Sequence, residues 1–287
     1  MASKTLAARV ERAECRTVLA FATQAKARGA DVMIQDIGGT SAVFAAPGHP
    51  SNKLAGLGFA APIDEDALAR VERAYDAREA ELRVELATLA DPAVGLLLTR
   101  RGYELAGYEN ALGLPLSDDL MDGLQLAQDA DVARGVIVVR AAADETRAWI
   151  ETVADGFCHP DAFDGPPPTE SFAREMIVDV MSVSSSVPGV TLYLARRDGV
   201  IAGGGSVRIA DGLAQLSGAS TLPAHRRKGV QSALLGARLL DAARQGCDLA
   251  IVTTEPASKS QQNVQRAGFE LLYSRAILIR RPSAQRS

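Results

Sequence analysis

The sequence predicts an α/β protein built from two tandem copies of one domain. Three observations support this fold class: a length of 287 residues, a segment of the first half that recurs in the second, and the same order of predicted elements before each segment. A chain of this length holds about two domains of ordinary size. Each half could bury about two-thirds of its unfolded surface without metals or disulfides.

The recurring segment reads RRGYELAGYENAL at 100–112 and RAGFELLYSRAIL at 266–278. At an offset of 166, five of thirteen positions are identical, and Tyr103 stands opposite Phe269. The same offset also superimposes the predicted secondary structure that precedes each segment, so we interpret the halves as copies of one fold. A β-propeller or solenoid would need more and shorter repeats.

The first copy is predicted from local signals. Acidic residues followed by an apolar stripe predict a helix over 64–77, and alternation predicts a half-buried strand over 81–86. Asp91 and Pro92 predict the N-cap and first residue of a short helix. Gly102 ends that helix, and a hairpin-like apolar stretch follows.

The second copy repeats this order of strand, helix, strand, helix, strand, strand. Its elements are predicted as a strand at 213–221, a helix at 230–245, a strand at 249–254, a short helix at 258–267 that stops at Gly268, and closing strands at 269–280. The strand LAIVTT is almost wholly apolar, which indicates burial on both faces, as in a parallel pair. We therefore predict one domain at 1–116, a polar, acid-rich linker at 117–134 and a second domain at 135–287.

Composition limits the possible functions. The chain is 47% hydrophobic with a net charge of −4, and aromatic residues make up 5%, so no basic excess favours nucleic acid as a partner. The three cysteines are far apart and odd in number, which favours free thiols in a reducing cytoplasm. Charges interrupt the first thirty residues and no long apolar run occurs, so neither a secretory signal nor a membrane span is expected.

Two further motifs are candidate sites. Cys158-His159 has no second His or Cys pair at ligand spacing, so no metal site is predicted. Gly203-Gly204-Gly205 is flanked by strand patterns, which predict a bulged strand rather than a nucleotide loop. A Gly-x-x-x-x-Gly-Lys-Ser/Thr motif is absent from the sequence, which counts against a nucleotide kinase.

The turn RRKGVQ at 226–231 carries the strongest chemical signal. It follows a predicted strand and enters a helix whose first N–H groups have no intrahelical acceptor. Cations at a helix start oppose the helix dipole, but an anion docked there would reverse the balance, and Gly229 would let it approach closely. A phosphate or pyrophosphate fits this description. The alternative is a solvated charge run on the surface.

The first copy favours the anion-binding interpretation by contrast. From Gly56 to Leu68 is 12 positions, whereas from the matching Gly218 to Leu234 is 16. The shortened first turn carries Asp64, Glu65 and Asp66 where an anion would lie.

With these motifs the second half, over about 134–281, resembles the GCN5-related N-acetyltransferases (GNAT). Their pyrophosphate loop reads Gln/Arg-x-x-Gly-x-Gly/Ala. Arg226 and Gly229 match this motif, whereas Gln231 stands where the motif has Gly or Ala. Asn-x-x-x-x-Gly-Phe from Asn263 to Phe269 fits the same family. The first half resembles a degenerate copy. The resemblance implies two tandem GNAT-like acyl-CoA N-acyltransferase domains, each a mixed, mostly antiparallel sheet with a central, splayed parallel strand pair flanked by helices.

The resemblance also implies a site for acetyl-CoA or a related acyl-CoA, with no metal. Strand backbone would pair with the pantetheine arm, loop amides and cations would hold the diphosphate, and an asparagine would reach the pantetheine side. The implied residues are Ala219, Ser220, Thr221, Arg226, Arg227, Lys228, Gly229, Val230, Gln231, Ser232 and Asn263. Segment 157–172 would line the acceptor side.

The implied activity is transfer of acetyl from acetyl-CoA to a primary amine by direct attack, with the first copy as a structural partner domain. The family's usual tyrosine acid falls at Val264, and the strand before the loop has no carboxylate. Tyr273, Glu255 and Ser220 are the substitutes predicted for acid, base or proton relay. The implied partner is a small-molecule or peptide amine acceptor, without nucleic acid or membrane, in a monomer or homodimer. The alternative is a non-catalytic acyl-CoA-binding sensor.

Overall fold

The structure is a computed structural model that describes residues 2–59, 62–160 and 172–282. The chain divides into two compact units, described separately below. The first comprises residues 1–112, 253–258 and 271–287, and the second comprises 113–252 and 259–270. Within the described ranges, no helix is both long and apolar enough to cross a bilayer.

The helices and strands alternate along the chain as the sequence predicts for an α/β fold. In chain order they are α1 (Lys4–Ala27), β1 (Met33–Asp36), β2 (Ser41–Phe44), β3 (Lys53–Ala55), α2 (Glu65–Asp76), β4 (Leu82–Ala87), α3 (Pro92–Arg100), β5 (Glu104–Pro115), α4 (Asp118–Ala133), β6 (Val136–Arg140), α5 (Thr146–Cys158), α6 (Arg174–Ser184), β7 (Val190–Arg197), β8 (Val200–Ala210), β9 (Leu213–Thr221), α7 (Val230–Arg244), β10 (Leu249–Thr254), α8 (Lys259–Arg266) and β11 (Glu270–Arg280).

The sheet of the first unit has the strand order β1, β2, β3, β4, β11, β5. β3 and β4 run parallel, with Leu54 opposite Val84. β11 runs antiparallel to β4, with Leu278 also opposite Val84. Leu68 and Tyr75 of α2 are fully buried in the core against this sheet. The last strand of the chain therefore belongs to the sheet of the first unit.

The sheet of the second unit has the order β10, β9, β8, β7, β6, with β9 and β10 parallel and the other pairs antiparallel. Helices α5 and α7 cover its two faces. A Cβ on Gly204 would meet Trp149 and Val153 of α5, whereas one on Gly203 would meet α7. Neighbouring residues of a strand point to opposite faces, so the sheet lies between the two helices.

Local signals predicted most boundaries to within one or two residues. The Asp64 carboxylate accepts the N–H of Ala67 at 2.9 Å and so caps α2. Asp91 caps α3 in the same way, through Ala93 at 2.9 Å, with Pro92 as the first residue. Gly102 follows α3 in the left-handed conformation, φ +82°. The predicted helix start and stop signals at these positions are confirmed.

One expectation needs correction, and one predicted segment contains a helix that the sequence analysis did not predict. Each closing segment is one long strand, β5 or β11, rather than two strands, because neither contains an Asn-Gly, Asp-Gly or Gly-Gly pair that favours a tight hairpin. The predicted linker at 117–134 contains helix α4, which Ser117 caps by accepting the N–H of Leu120 at 3.3 Å, and α4 packs against α7. The domain boundaries predicted above, with the linker at 117–134, remain a prediction.

Candidate functional site

The parallel strands β9 and β10 are paired over only part of their length. Leu213 to Gln215 pair with Leu249 to Ile251, and beyond Gln215 no residue of β9 pairs with β10. β9 nevertheless continues to Thr221. Its backbone groups from 216 to 221 therefore present an unpaired edge on this side, and an unpaired edge can pair with an extended ligand.

A bulge bends β9 where this edge begins. The register with β8 shifts between Gly204, opposite Ser220, and Ser206, opposite Ser217. Gly218 has φ +54°, and a Cβ there would lie 3.1 Å from the hydroxyl of Ser206. Bulges increase strand twist and end regular pairing. The strand predicted at Gly203-Gly204-Gly205 is confirmed as part of β8, and the extra residue of this bulge lies opposite it in β9, where regular pairing with β10 has ended.

The turn after β9 ends in the N-terminus of α7. Gly229 is the N-cap, with φ +82°, and its residue type offers no side chain to cap the helix. The first intrahelical bond joins the N–H of Ala233 to the carbonyl of Gly229 at 3.0 Å. The amides of 230–232 precede this bond, so they have no intrahelical acceptor. Arg227 adopts φ +57° in the same turn.

The cations of the turn differ in their environments. The Arg226 guanidinium donates to the Thr221 carbonyl at 3.2 Å and to the carbonyl of His159, so it braces the end of β9 against the end of α5. Lys228 donates to the carbonyl of Ala224 at 2.8 Å. Arg227 is exposed and bonds to no other residue in the described part of the chain. It is the loop cation most available to an incoming anion.

Two buried polar atoms beside the turn lack partners among the described residues. They are the hydroxyl oxygen of Thr221 and Nδ1 of His225. A buried polar atom without a hydrogen bond costs about 1–3 kcal/mol. Both atoms could be satisfied by a polar ligand or by water in the turn.

Gln231 occupies the position at which the family motif has Gly or Ala. Its Oε1 accepts a hydrogen bond from Asn263 at 2.8 Å, and the Asn263 oxygen accepts one from Arg266 at 2.9 Å. These bonds tie the start of α7 to α8. The two residues predicted to contact the cofactor from α7 and α8 are therefore neighbours.

A carboxylate that the sequence reasoning missed lies beside Gly229. A Cβ on Gly229 would be 3.8 Å from Oδ1 of Asp131, a buried residue of α4. The Asp131 carboxylate pairs with Arg134. Only the packing of α4 on α7 brings it here, so no local sequence signal pointed to it.

Ser220 faces α5 and is already hydrogen-bonded. Its hydroxyl donates to the Thr152 carbonyl at 3.3 Å. A Cβ on Gly156 would lie 2.3 Å from the Ser220 oxygen, so the glycine is what admits this side chain. Residues 161–171 of the segment predicted to line the acceptor side lie outside the described residues.

Tyr273 and Glu255 belong to the first unit. The Tyr273 hydroxyl is buried and donates to Glu11 at 2.8 Å. Burial, together with the negative charge of Glu11, raises the pKa of Tyr273. Arg275 donates to the same Glu11 oxygen at 2.7 Å. This buried network accounts for Tyr273 in structural terms, and its assignment as a catalytic acid, like that of Glu255, stays a prediction.

The matching turn of the first copy is closed to an anion. The N-terminus of α2 is capped by the Asp64 carboxylate, and Glu65 and Asp66 add negative charge in its first turn. An anion would meet repulsion there and find one amide already taken. This difference between the helix starts agrees with a degenerate first copy.

Comparison with known proteins supports this interpretation. Residues 158–269 match the model of the acetyltransferase (GNAT) family. No curated protein matches the chain.

Solved structures with the same fold cover most of the chain. A GCN5-related N-acetyltransferase from Kribbella flavida has a TM-score of 0.63 at 19% identity over 95% of this chain and 94% of its own. A tandem GNAT protein from the clavulanic acid biosynthesis pathway has a TM-score of 0.61 at 16% identity over 88% and 84%. A GCN5-related N-acetyltransferase from Sphaerobacter thermophilus has a TM-score of 0.52 at 13% identity over 76% and 67%.

The recognition made from Arg226, Gly229 and Asn263 is thereby confirmed at the level of family and fold. Residues 158–269 thus match the GNAT family, and the fold over most of the chain is that of GCN5-related N-acetyltransferase structures, one of them a tandem GNAT protein.

Proposed function

We propose that the protein is an N-acyltransferase that transfers acetyl from acetyl-CoA to a primary amine, with the second unit as the catalytic one. The observation that carries the proposal is the unpaired edge of β9 beyond Gln215, which leads directly to the uncapped N-terminus of α7. Acetyl-CoA has an extended pantetheine arm followed by a diphosphate. The arm would pair with the strand edge, and the diphosphate would lie at the helix start.

The residues present fit such a ligand. Ala219 and Thr221 offer backbone groups to the pantetheine arm, and the orphaned Thr221 hydroxyl lies beside it. The amides of 230–232 suit the diphosphate, because a helix N-terminus binds anions through free N–H groups and the dipole. Arg227 and Lys228 add positive charge at the exposed side.

The donor supplies an activated acyl group as a thioester. The amine nitrogen attacks the carbonyl carbon, the N–C bond forms and the C–S bond breaks, and the bonding electron pair goes to sulfur. The proton lost by the amine passes to the thiolate or to water. β9 contains no carboxylate to accept that proton, so the proposal assigns the proton relay to Ser220 and water. In this proposal Ser220 must exchange its bond to Thr152 for a water molecule.

The test measures binding and turnover separately. Acetyl-CoA should raise the melting temperature with the logarithm of its concentration, by about 5–10 °C at a hundredfold excess over Kd. A titration should give one site, because α2 of the first copy is capped by Asp64. Release of free CoA in the presence of an amine panel reports turnover. Saturable binding without turnover would support the sensor alternative instead.

A matched pair of variants tests the loop assignment. Gly229→Asp places a negative charge where the diphosphate would bind, and it should abolish the thermal shift. Gly246→Asp is the control, because Gly246 has φ +80° against +82° for Gly229 and lies beyond the other end of the same helix. Equal stabilisation of both variants by acetyl-CoA would contradict the proposed site.

A further inference from the structure

A buried arginine lies beneath the bulge of the second unit. Arg238 of α7 is 3% exposed, and no carboxylate of the described chain pairs with it. Its Nε donates to the Leu234 carbonyl at 2.9 Å, and its NH1 donates to the carbonyls of Ser206 at 3.0 Å and Ser217 at 3.4 Å. A guanidinium held only by carbonyls keeps its full charge inside the protein.

The strand opposite makes room for this charge. A Cβ on Gly205 would lie 3.2 Å from the central carbon of the Arg238 guanidinium and 3.3 Å from two of its nitrogens. Such a distance is tighter than an ordinary van der Waals contact, so a side chain at Gly205 would displace the guanidinium. The glycine-rich stretch of β8 therefore brings a cation against the sheet at the bulge.

The neighbouring charges do not neutralise Arg238. Asp241, one turn along α7, is already bound by Arg140 at 2.9 Å and by the Tyr193 hydroxyl. Burial lowers the pKa of Arg238 to about 10, so it remains charged at neutral pH. The local field is therefore positive.

This field acts at one end of the proposed ligand site. The diphosphate end lies at the start of α7, and the space between β9 and β10 closes at Gln215, where the strands pair. A pantetheine arm that runs from the turn along β9 must therefore place its acyl end near residues 216–218. The Arg238 guanidinium binds the Ser217 carbonyl in that stretch.

We propose that Arg238 is a positioning residue that stabilises the negative charge formed at the acyl end during transfer. This inference rests on the proposed function. Arg238 acts by its field and through the Ser217–Gly218 peptide, because a cation on a carbonyl oxygen polarises the peptide and strengthens its N–H as a donor. When the C–S bond breaks, the electron pair left on sulfur is then stabilised as a thiolate.

The test measures the thiol pKa of bound CoA, from thiolate absorbance in a pH titration, beside that of free CoA in the same buffer. In the wild type the bound thiol should ionise at least about one pH unit below the free thiol. Arg238→Met should remove the difference, and Arg238→Lys should restore part of it. Arg244→Gln, an exposed arginine of the same helix that donates to Gln125 at 2.7 Å, should leave it unchanged.

The possible outcomes separate this inference from the proposed function. If calorimetry shows that the wild type does not bind CoA, the proposed function fails and this inference fails with it. If CoA binds but its thiol ionises at the pH of free CoA, only the role of Arg238 is refuted, and that result needs no variant to fold. An unchanged thiol pKa in folded Arg238→Met would refute it equally.

Discussion

Replacing Asp131 with asparagine should tighten the binding of CoA several-fold. The Asp131 carboxylate lies 3.8 Å from the position of a Cβ on Gly229, and a diphosphate on the amides of 230–232 would lie roughly 7 Å from it. At that distance and an effective dielectric constant of about 40, the two charges of the diphosphate are together opposed by about 2.4 kcal/mol, and the Arg134 guanidinium paired with Asp131 offsets about half of this. About 1.4 kcal/mol corresponds to a tenfold change in Kd, so a five- to tenfold gain is expected at low salt.

The assay is isothermal titration with CoA and with pantetheine, which lacks the diphosphate. Asp131→Asn should improve binding of CoA but not of pantetheine, and the gain should shrink as salt screens the charges. Asp129→Asn is the matched control on α4, because Asp129 accepts from Gln125 at 3.2 Å on the exposed side. The reasoning is refuted if the two variants bind CoA alike, or if pantetheine gains as much as CoA does.

Two further predictions concern stability. Burial and the nearby Glu85 raise the pKa of Glu109 from 4.5 to about 7. The folded state therefore binds this proton more tightly than the unfolded state does, and the free energy of unfolding falls by at most about 3 kcal/mol as the pH rises through this range. Glu109→Gln should flatten that dependence, and melting curves at pH 5 and 8 that stay parallel to the wild type would contradict it. Gly156→Ala should lower the melting temperature, because its Cβ would lie 2.3 Å from the Ser220 oxygen. Gly123→Ala, which meets nothing within 4 Å in helix α4, should raise it, since alanine favours helix by about 1 kcal/mol; equal shifts would rule out the clash.

The features predictable from sequence were those encoded over a few residues. Asp64 and Asp91 each cap a helix through an amide two or three positions away, and the turn at Gly229 joins a strand and a helix that are adjacent in sequence. Local chemistry was sufficient for these. The same holds for the apolar strand β10, whose parallel partner was implied by its composition.

What sequence reasoning missed depends on contacts between distant residues. Asp131 reaches Gly229 only because α4 packs on α7, and Tyr273 reaches Glu11 across 262 positions. Arg238 had a weak signal, since it is a charged residue four positions after Leu234 on the apolar face of a helix. A single arginine on an apolar stripe can also extend its guanidinium to water. The pattern alone therefore did not distinguish a buried guanidinium from an exposed one.

The position of β11 in the first unit has a consequence for synthesis. Glu11 meets Arg275 across 264 positions, so until β11 is synthesised this carboxylate lacks Arg275 as its counter-ion, and β4 has β3 as a neighbour but lacks β11 on its other side. Domains generally fold as they emerge, but the first unit must wait until β11 has been synthesised. A truncation that removes β11 would leave the Glu11 carboxylate without its cation, and the N-terminal half should then be found in inclusion bodies even though most of its own residues are present.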